Sequence, residues 1–109
     1  MAIDDGVLEV LRTDLGDRAN LAEKRMFGGL CFMLAGNMLC GTLEDGAIYR
    51  VGKENEADAL TVPGAARMTF TGRRMGGFVE LRGDGFADDA ARGQLLALAL
   101  QFVGSLPAK

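Results

Sequence analysis

The sequence predicts an α+β domain in which a central antiparallel sheet lies between a helix near each end of the chain. Apolar residues recur at helical spacing near both termini, and short apolar runs between them are separated by glycine-containing turn signals. Connections this short allow hairpins but no parallel crossovers. The predicted order is α-β(3–4)-α-β(2)-α, with the helices packed mainly on one face of the sheet.

The first helix is predicted at residues 3–15. Its apolar stripe consists of Ile3, Val7, Leu8, Leu11 and Leu15. Asp4 and Asp5 suit the positive end of the helix dipole, and Gly16 is placed to end the helix.

A β-meander should follow this helix. Its four strands are predicted at residues 23–27, 30–35, 38–43 and 47–51. Three turns are predicted between them, at Gly28-Gly29, Gly36-Asn37 and Asp45-Gly46. The last two are two-residue hairpin signals of the primed type, which should set the pairing of the strands.

The second half of the chain repeats the pattern more briefly. A short helix is expected at 53–61, and a hairpin of strands 66–71 and 77–82 across the glycine-rich segment 72–77. The last helix should run from Asp88, a good capping residue, to about residue 103, with Leu98 in the core.

The two tight turns predict which side chains share a face of the sheet. One face should carry Leu30, Phe32, Leu34, Leu39, Leu43 and Ile48, and the other Cys31, Met33, Met38, Cys40, Thr42, Tyr49 and Val51. Both faces are apolar, and the helices amount to little more than one covering layer. We therefore expect a homodimer formed through the second face or an adjacent edge. The alternative is a monomer in which the last helix covers that face.

Composition narrows the class of protein. The 109 residues suit a single domain, 1–109, with ordinary globular proportions of apolar and charged residues. The acidic N-terminus has no signal-peptide pattern, and no apolar stretch is long enough to span a bilayer. The chain has two cysteines, fewer than a secreted disulfide scaffold usually has. We therefore expect a cytoplasmic protein with reduced thiols and no membrane contact. The net charge of −3 argues against direct nucleic-acid binding.

No catalytic constellation is visible in the sequence. The absence of histidine removes the commonest general base and most zinc sites, so no catalytic residue, metal or cofactor is expected. The acidic groups at 54–58 and 84–89 could serve hydrolysis or bind a metal, but the first suits the solvated face of a short helix and the second a helix N-terminus. Cys31 and Cys40 could form a redox pair if they share a face, although buried cysteine acting as a small hydrophobe is the favoured interpretation.

Basic residues concentrate in the sheet region. Residues 24–82 contain eight basic and six acidic residues, in a chain that is acidic overall. Arg25, Arg50, Arg73 and Arg74 could gather at one end of the sheet and bind a phosphate or an acidic partner, with Tyr49 nearby. The simpler interpretation is solvated charge that blocks pairing at strand edges.

Several stretches together resemble one protein family. They are Lys24-Arg25-Met26-Phe27-Gly28-Gly29, Phe32, Gly36-Asn37-Met38, Gly41, the run from Asp45 to Val51, Phe70-Thr71-Gly72-Arg73 and the closing helix. This set is similar to the N-terminal domain of the TfoX/Sxy competence regulators. The resemblance implies a fold like that of the type III secretion chaperones, a role in transcription of competence genes and no catalytic residues. Full-length members carry a second, C-terminal domain, so a chain ending at Lys109 is expected to be a stand-alone copy.

The sequence thus leads to two functional hypotheses. The first is a non-enzymatic regulatory or protein-interaction domain that presents an apolar sheet surface and a basic rim to an unidentified protein partner. The alternative is a small-ligand module in which the glycine-rich turns and Arg25, Arg50 and Arg73 hold an anionic molecule.

Overall fold

The chain forms a six-stranded antiparallel sheet accompanied by helices, which confirms the predicted α+β class. These elements are seen in a computed structural model that describes residues 5–26, 29–70 and 73–108, with the backbone alone at 26, 69, 70 and 73–75. Along the chain they are α1 (Asp5–Leu15), β1 (Leu21–Met26), β2 (Gly29–Leu34), β3 (Asn37–Thr42), β4 (Gly46–Arg50), a 3-10 turn (Lys53–Asn55), α2 (Glu56–Ala59), β5 (Ala65–Phe70), β6 (Arg73–Arg82), α3 (Gly83–Ala87) and α4 (Asp89–Gly104). The strand order across the sheet is β1-β2-β3-β4-β6-β5.

Helix α1 follows its apolar stripe. Val7, Leu11 and Leu15 are buried against the sheet, as the spacing predicts. Gly16 ends the helix with a φ of +62°, and its N–H donates to the carbonyl of Arg12 at 2.9 Å. The predicted first residues of this helix, 3 and 4, lie outside the described residues.

Helix α4 is the largest helical contribution to the core. The predicted cap is confirmed, because the Asp88 carboxylate accepts a hydrogen bond from the N–H of Ala90 at 3.0 Å. The buried side chains of α4 are Ala91, Arg92, Leu95, Leu96, Ala99 and Val103. Leu98, expected in the core, is half-buried at its margin.

Helix α3 is not predicted by the sequence. The glycines of 83–85 suggest a loop leaving the sheet, yet these residues begin a short helix that buries Phe86. Gly85 is needed there because a Cβ would lie 2.9 Å from Cδ1 of Leu81. Tertiary packing therefore overrides the poor helix propensity of glycine.

The predicted register of the first hairpin is wrong. The turn residues with left-handed backbone are Ala35 (φ +51°) and Gly36 (φ +84°), so Asn37 is the first residue of β3. Asn37 is buried, and its amide donates to the carbonyl of Pro107 at 2.9 Å, a bond that a turn position would not allow. Leu34 therefore pairs with Asn37 and Met33 with Met38.

A β-bulge then shifts the register within the same hairpin. Phe32 pairs with Cys40, so Leu39 is an extra residue in β3. Leu39 and Cys40 are both fully buried in the core that the helices cover. Cys31 pairs with Gly41 and points to the other face, so the prediction that Cys31 and Cys40 share a face is wrong. Both are free thiols.

The second hairpin also differs from its prediction. Asp45-Gly46 is not a two-residue turn: the loop spans 43–45, the Leu43 N–H donates to the Gly46 carbonyl at 2.8 Å, and Thr42 pairs with Ala47. Gly46 opens β4 at a place where a Cβ would lie 2.0 Å from the Leu81 carbonyl oxygen. Close approach of β6, rather than turn geometry, requires glycine there.

Glycines also shape the beginning of β6. The strand starts at Arg73, and residues 75–78 lie opposite the single residue Met68 of β5. Gly76 and Gly77, predicted in a hairpin turn, lie in this wide bulge instead. Of the other predicted turn residues, Gly29 begins β2, whereas Gly28 and Gly72 lie outside the described residues.

Candidate functional site

The sheet has one face covered by the helices and one face that we call the open face. The covered face carries Leu30, Phe32, Leu39, Cys40, Ala47, Tyr49, Val79 and Leu81, which join the buried side chains of α1, α3 and α4 in one core. The open face carries Cys31, Met33, Met38, Ile48 and Met68, none of which belongs to that core. Cys31, Ile48 and Met68 are buried, and Met33 and Met38 are half-buried.

One row of paired residues crosses the open face. It runs from Lys24 in β1 through Cys31, Gly41, Ile48 and Glu80 to Ala66 in β5. Gly41 stands midway between Lys24 and Glu80, two strands from each. The row therefore has a cation on one side, an anion on the other and a residue without a side chain at its centre. Glu80 also accepts a hydrogen bond from Arg82 at 3.2 Å.

Tyr49, predicted as a contact residue, lies in the core. It is 1% exposed, and its hydroxyl has no hydrogen-bond partner among the described residues. Burial raises the pKa of the Tyr49 phenol, and the Cys40 and Asp14 side chains nearby act in the same direction. Burial likewise raises the pKa of the Cys40 thiol. Neither group is available to a partner in the folded chain.

The charges nearest Tyr49 belong to a bridge between α1 and α4. Arg92 of α4 is buried, and its Nε donates to the Asp14 carboxylate of α1 at 2.8 Å. The same guanidinium donates to the Phe86 carbonyl at 2.7 Å and to Asp89. Two of these bonds join α4 to α1 and α3, the bond to Asp89 lies within α4, and the cluster is structural.

The structure separates the predicted arginines. Arg25 is exposed near the end of β1, while Arg50 ends β4, and the pairing scheme puts these two positions at opposite ends of the sheet. The backbone of Arg73 and Arg74 lies at the same end as Arg50, but their side chains lie outside the described part of the structure. The expectation that Arg25 and Arg50 gather at one end is therefore wrong.

Arg50 instead lines a cleft that glycines make possible. The bulge of β6 brings Gly77 against the segment after β4, where the N–H groups of Val51 and Gly52 both donate to the Gly77 carbonyl, at 2.9 and 3.0 Å. Gly52 has a φ of +87°, and a Cβ there would lie 2.5 Å from the ring of Phe102. A Cβ at Gly76 would lie 3.0 Å from Cε of Lys53.

The resulting cleft has a volume of about 460 Å³. Its charged side chains are Arg50, Lys53 and Glu54, and its apolar walls are Phe78 and Phe102. The Arg50 guanidinium lies 5.6 Å from the centroid of the Phe102 ring, within cation–π range. Among the described residues, neither Arg50 nor Lys53 has an ion-pair partner.

Reasoning from the sequence found one side chain of this cleft and missed the others. Lys53 and Phe102 lie 49 positions apart and carry no motif. The sequence places Gly76-Gly77 in a glycine-rich turn, but no neighbouring residue indicates that this segment bulges toward Gly52. The alignment of Lys24 and Glu80 in one row could not be predicted either, because the strand register that aligns them includes an unpredicted bulge.

The described residues contain neither a metal-binding cluster nor a membrane-spanning helix. Over residues 5–26, 29–70 and 73–108, no group of three or more cysteine, aspartate or glutamate side chains is arranged to hold a metal ion. Within the same ranges, no helix has the length and hydropathy needed to cross a membrane.

Comparison with protein families identifies the fold. The family model of the TfoX N-terminal domain matches residues 13–103 of the 109-residue chain, from α1 to the last turns of α4. The chain belongs to the TfoX N-terminal domain family. The α+β architecture agrees with this assignment. Searches of curated proteins and of solved structures gave no significant match.

Membership gives a coarse statement of function. The TfoX N-terminal domain family supports a regulatory or interaction role, and it is not known as a family of enzymes. For this TfoX N-terminal domain, the structure supplies two surfaces on which such a role can be based: the open face of the sheet and the cleft at Arg50.

Proposed function

We propose that this TfoX N-terminal domain is a non-enzymatic interaction module that assembles as a homodimer through the open face of its sheet. The observation that carries the proposal is the row from Lys24 to Glu80, because its charges are complementary to those of a second copy. The earlier reason for self-association, a face formed by methionine, cysteine and Tyr49, no longer applies, since Tyr49 and Cys40 lie on the covered face.

A twofold axis parallel to the strands and passing over Gly41 relates two such sheets packed face to face. That operation exchanges the two ends of the row, so Lys24 of each copy faces Glu80 of the other. Four strand spacings separate these residues, roughly 19 Å. The half-buried Met33 and Met38 supply adaptable apolar contact beside the row.

The charge arrangement gives a specific test by light scattering after size-exclusion chromatography at micromolar concentration. The wild-type chain should elute as a dimer of the 11.5 kDa protomer. Lys24→Glu and Glu80→Lys should each weaken dimerisation by about tenfold or more, because like charges then face one another across the interface. The double variant should recover dimerisation, since the pair is restored with its signs exchanged.

Arg25→Glu provides the matched control. Arg25 is the next residue of β1, is exposed and alternates to the other side of the sheet, so its reversal changes net charge equally without touching the open face. A wild-type mass of one protomer would overturn the proposal. Failure of the double variant to recover would overturn the twofold arrangement.

Family membership supports a finer proposal for the role of this module. We propose that the module acts in the cytoplasm on a protein partner in the regulation of transcription, with competence genes as the candidate targets. Loss of competence-gene transcription in a strain carrying Lys24→Glu, with recovery in the double variant, would link the open face to that role.

A further inference from the structure

The cleft at Arg50 has features of a ligand site, and it lies on a different part of the molecule from the open-face row. Its 460 Å³ volume falls in the range of small-molecule sites in proteins, which are concave and mostly apolar with a few convergent polar groups. We propose that this cleft binds a small anion that carries a flat aromatic group. The inference does not depend on dimerisation.

The charge of the ligand follows from Arg50 and Lys53. Both cations line the cleft, and neither is neutralised by an acid among the described residues. Bringing two like charges to one concave surface raises the local potential and favours a bound anion. Glu54 also lines the cleft and opposes this effect, so the described side chains leave one excess positive charge there. That excess suits a single phosphate or carboxylate.

The shape of the ligand follows from the phenylalanines. Phe78 and Phe102 provide the apolar walls of the cleft, and the Arg50 guanidinium lies 5.6 Å from the centroid of the Phe102 ring. An aromatic ring can stack on such a surface while its anionic group reaches Arg50, which offers a planar fork of N–H donors.

Close packing at glycines forms the backbone of the cleft. Gly52, Gly76 and Gly77 let two chain segments approach each other, and the Phe102 ring packs directly against Gly52. Gly76 also leaves room for the stem of Lys53, because a Cβ there would touch Cε at 3.0 Å. The hydrogen bonds from Val51 and Gly52 to the Gly77 carbonyl hold these two segments together, so the cleft is part of the folded structure.

The test uses AMP and 1-naphthoate as probes, one with a phosphate and one with a carboxylate. In a titration followed by ¹H–¹⁵N NMR, the amide signals of Gly52, Gly76 and Gly77 should shift together. Adenosine, which lacks the anion, and inorganic phosphate, which lacks the ring, should each bind at least tenfold more weakly than AMP. No shift with either aromatic anion at millimolar concentration would overturn the proposal.

Variants then assign the binding to this cleft. Arg50→Gln should weaken AMP binding by about tenfold, the usual cost of removing one charged hydrogen bond. Arg25→Gln, which removes an equal charge at the other end of the sheet, should leave binding unchanged. Glu54→Gln should tighten binding by a few-fold, because it removes the opposing charge.

The Glu54→Gln variant still tests whether charges of this cleft hold AMP if Arg50→Gln proves unstable. Glu54 is exposed and lies in the 3-10 turn, so its neutralisation should leave the fold intact. Weaker AMP binding in Glu54→Gln, or equal losses in Arg50→Gln and Arg25→Gln, would show that the ligand is not held by the charges of this cleft.

Discussion

At the scale of single residues, several positions are governed by contacts that are distant in sequence. Asn37 resembles a turn residue beside Gly36, yet its amide is occupied by the Pro107 carbonyl and the turn moves to Ala35. Asp88 and Gly16, in contrast, act through neighbours within four positions, and their roles as helix cap and helix stop are predictable. Local chemistry is visible in the sequence, whereas a bond spanning 70 positions is not.

Gly52 gives a residue-scale prediction about the cleft. Its backbone, at φ +87° and ψ 151°, lies in a region that is almost exclusive to glycine, and its Cα faces the Phe102 ring. We expect Gly52→Ala to lower the free energy of unfolding by about 1–3 kcal/mol in urea denaturation.

Gly93→Ala is the matched control for that substitution. Gly93 is exposed in α4, and a Cβ there meets nothing within 4 Å. Alanine should stabilise the helix by roughly 0.5–1 kcal/mol. Equal changes in the free energy of unfolding of the two variants would show that the Phe102 ring does not lie close to Gly52.

Tyr49 gives a prediction about pH. The unfolded phenol titrates near pH 10, and burial raises the pKa of Tyr49 in the folded chain. The preference for the neutral phenol therefore stabilises the fold fully below about pH 10 and is lost progressively as the pH rises above that value. The chain has one tyrosine and no tryptophan, so near-ultraviolet tyrosinate absorbance reports this group alone.

We expect the native protein to retain the phenol at a pH where the urea-unfolded protein is half ionised. The free energy of unfolding should fall over the same range above pH 10. Identical titration curves in the native and unfolded states would contradict the burial of this hydroxyl.

At the scale of elements, the sequence indicates where strands and helices occur better than how they align. The four strands of the meander each begin earlier than predicted, the first turn lies at Ala35-Gly36, and Leu39 forms a bulge. Both effects depend on which side chains the helices cover, and α4 lies more than 45 positions away. The cleft could not be predicted from the sequence for a similar reason, because it forms only where the bulge of β6 at Gly76 packs against Lys53.

Two leucines within one turn of helix α4 differ in burial. Leu95 is 0% exposed, whereas Leu98 is half-buried at the edge of the core. Leu95→Ala should cost about 2–5 kcal/mol of unfolding free energy, the range for a fully buried leucine. Leu98→Ala should cost roughly 1 kcal/mol, because less apolar surface is lost. Chemical denaturation of both variants tests the orientation of α4, and the reverse order would show that the helix is rotated.

At the scale of the whole molecule, association should be visible in thermal stability. If the native protein is a dimer, unfolding produces two chains and the midpoint temperature rises with protein concentration. We expect a rise of about 3 °C for each tenfold increase, from a typical unfolding enthalpy per residue. Differential scanning calorimetry at several concentrations provides the measurement.

Lys24→Glu should remove most of this concentration dependence, because it acts on the interface and not on the core. The Arg25→Glu control should retain it. A midpoint that is constant over a hundredfold range of wild-type concentration would contradict self-association independently of the chromatographic result.

The extra residue in β3 has a consequence for how the length of this chain can change. Met38 and Cys40 already stand opposite consecutive residues of β2, so loss of Leu39 would leave a regular ladder with both surfaces in their present orientation. Loss of Met38 instead would place Leu39 opposite Met33, on the open face. Single-residue deletions among related sequences should therefore be tolerated at this point, at the expense of one leucine of interior volume.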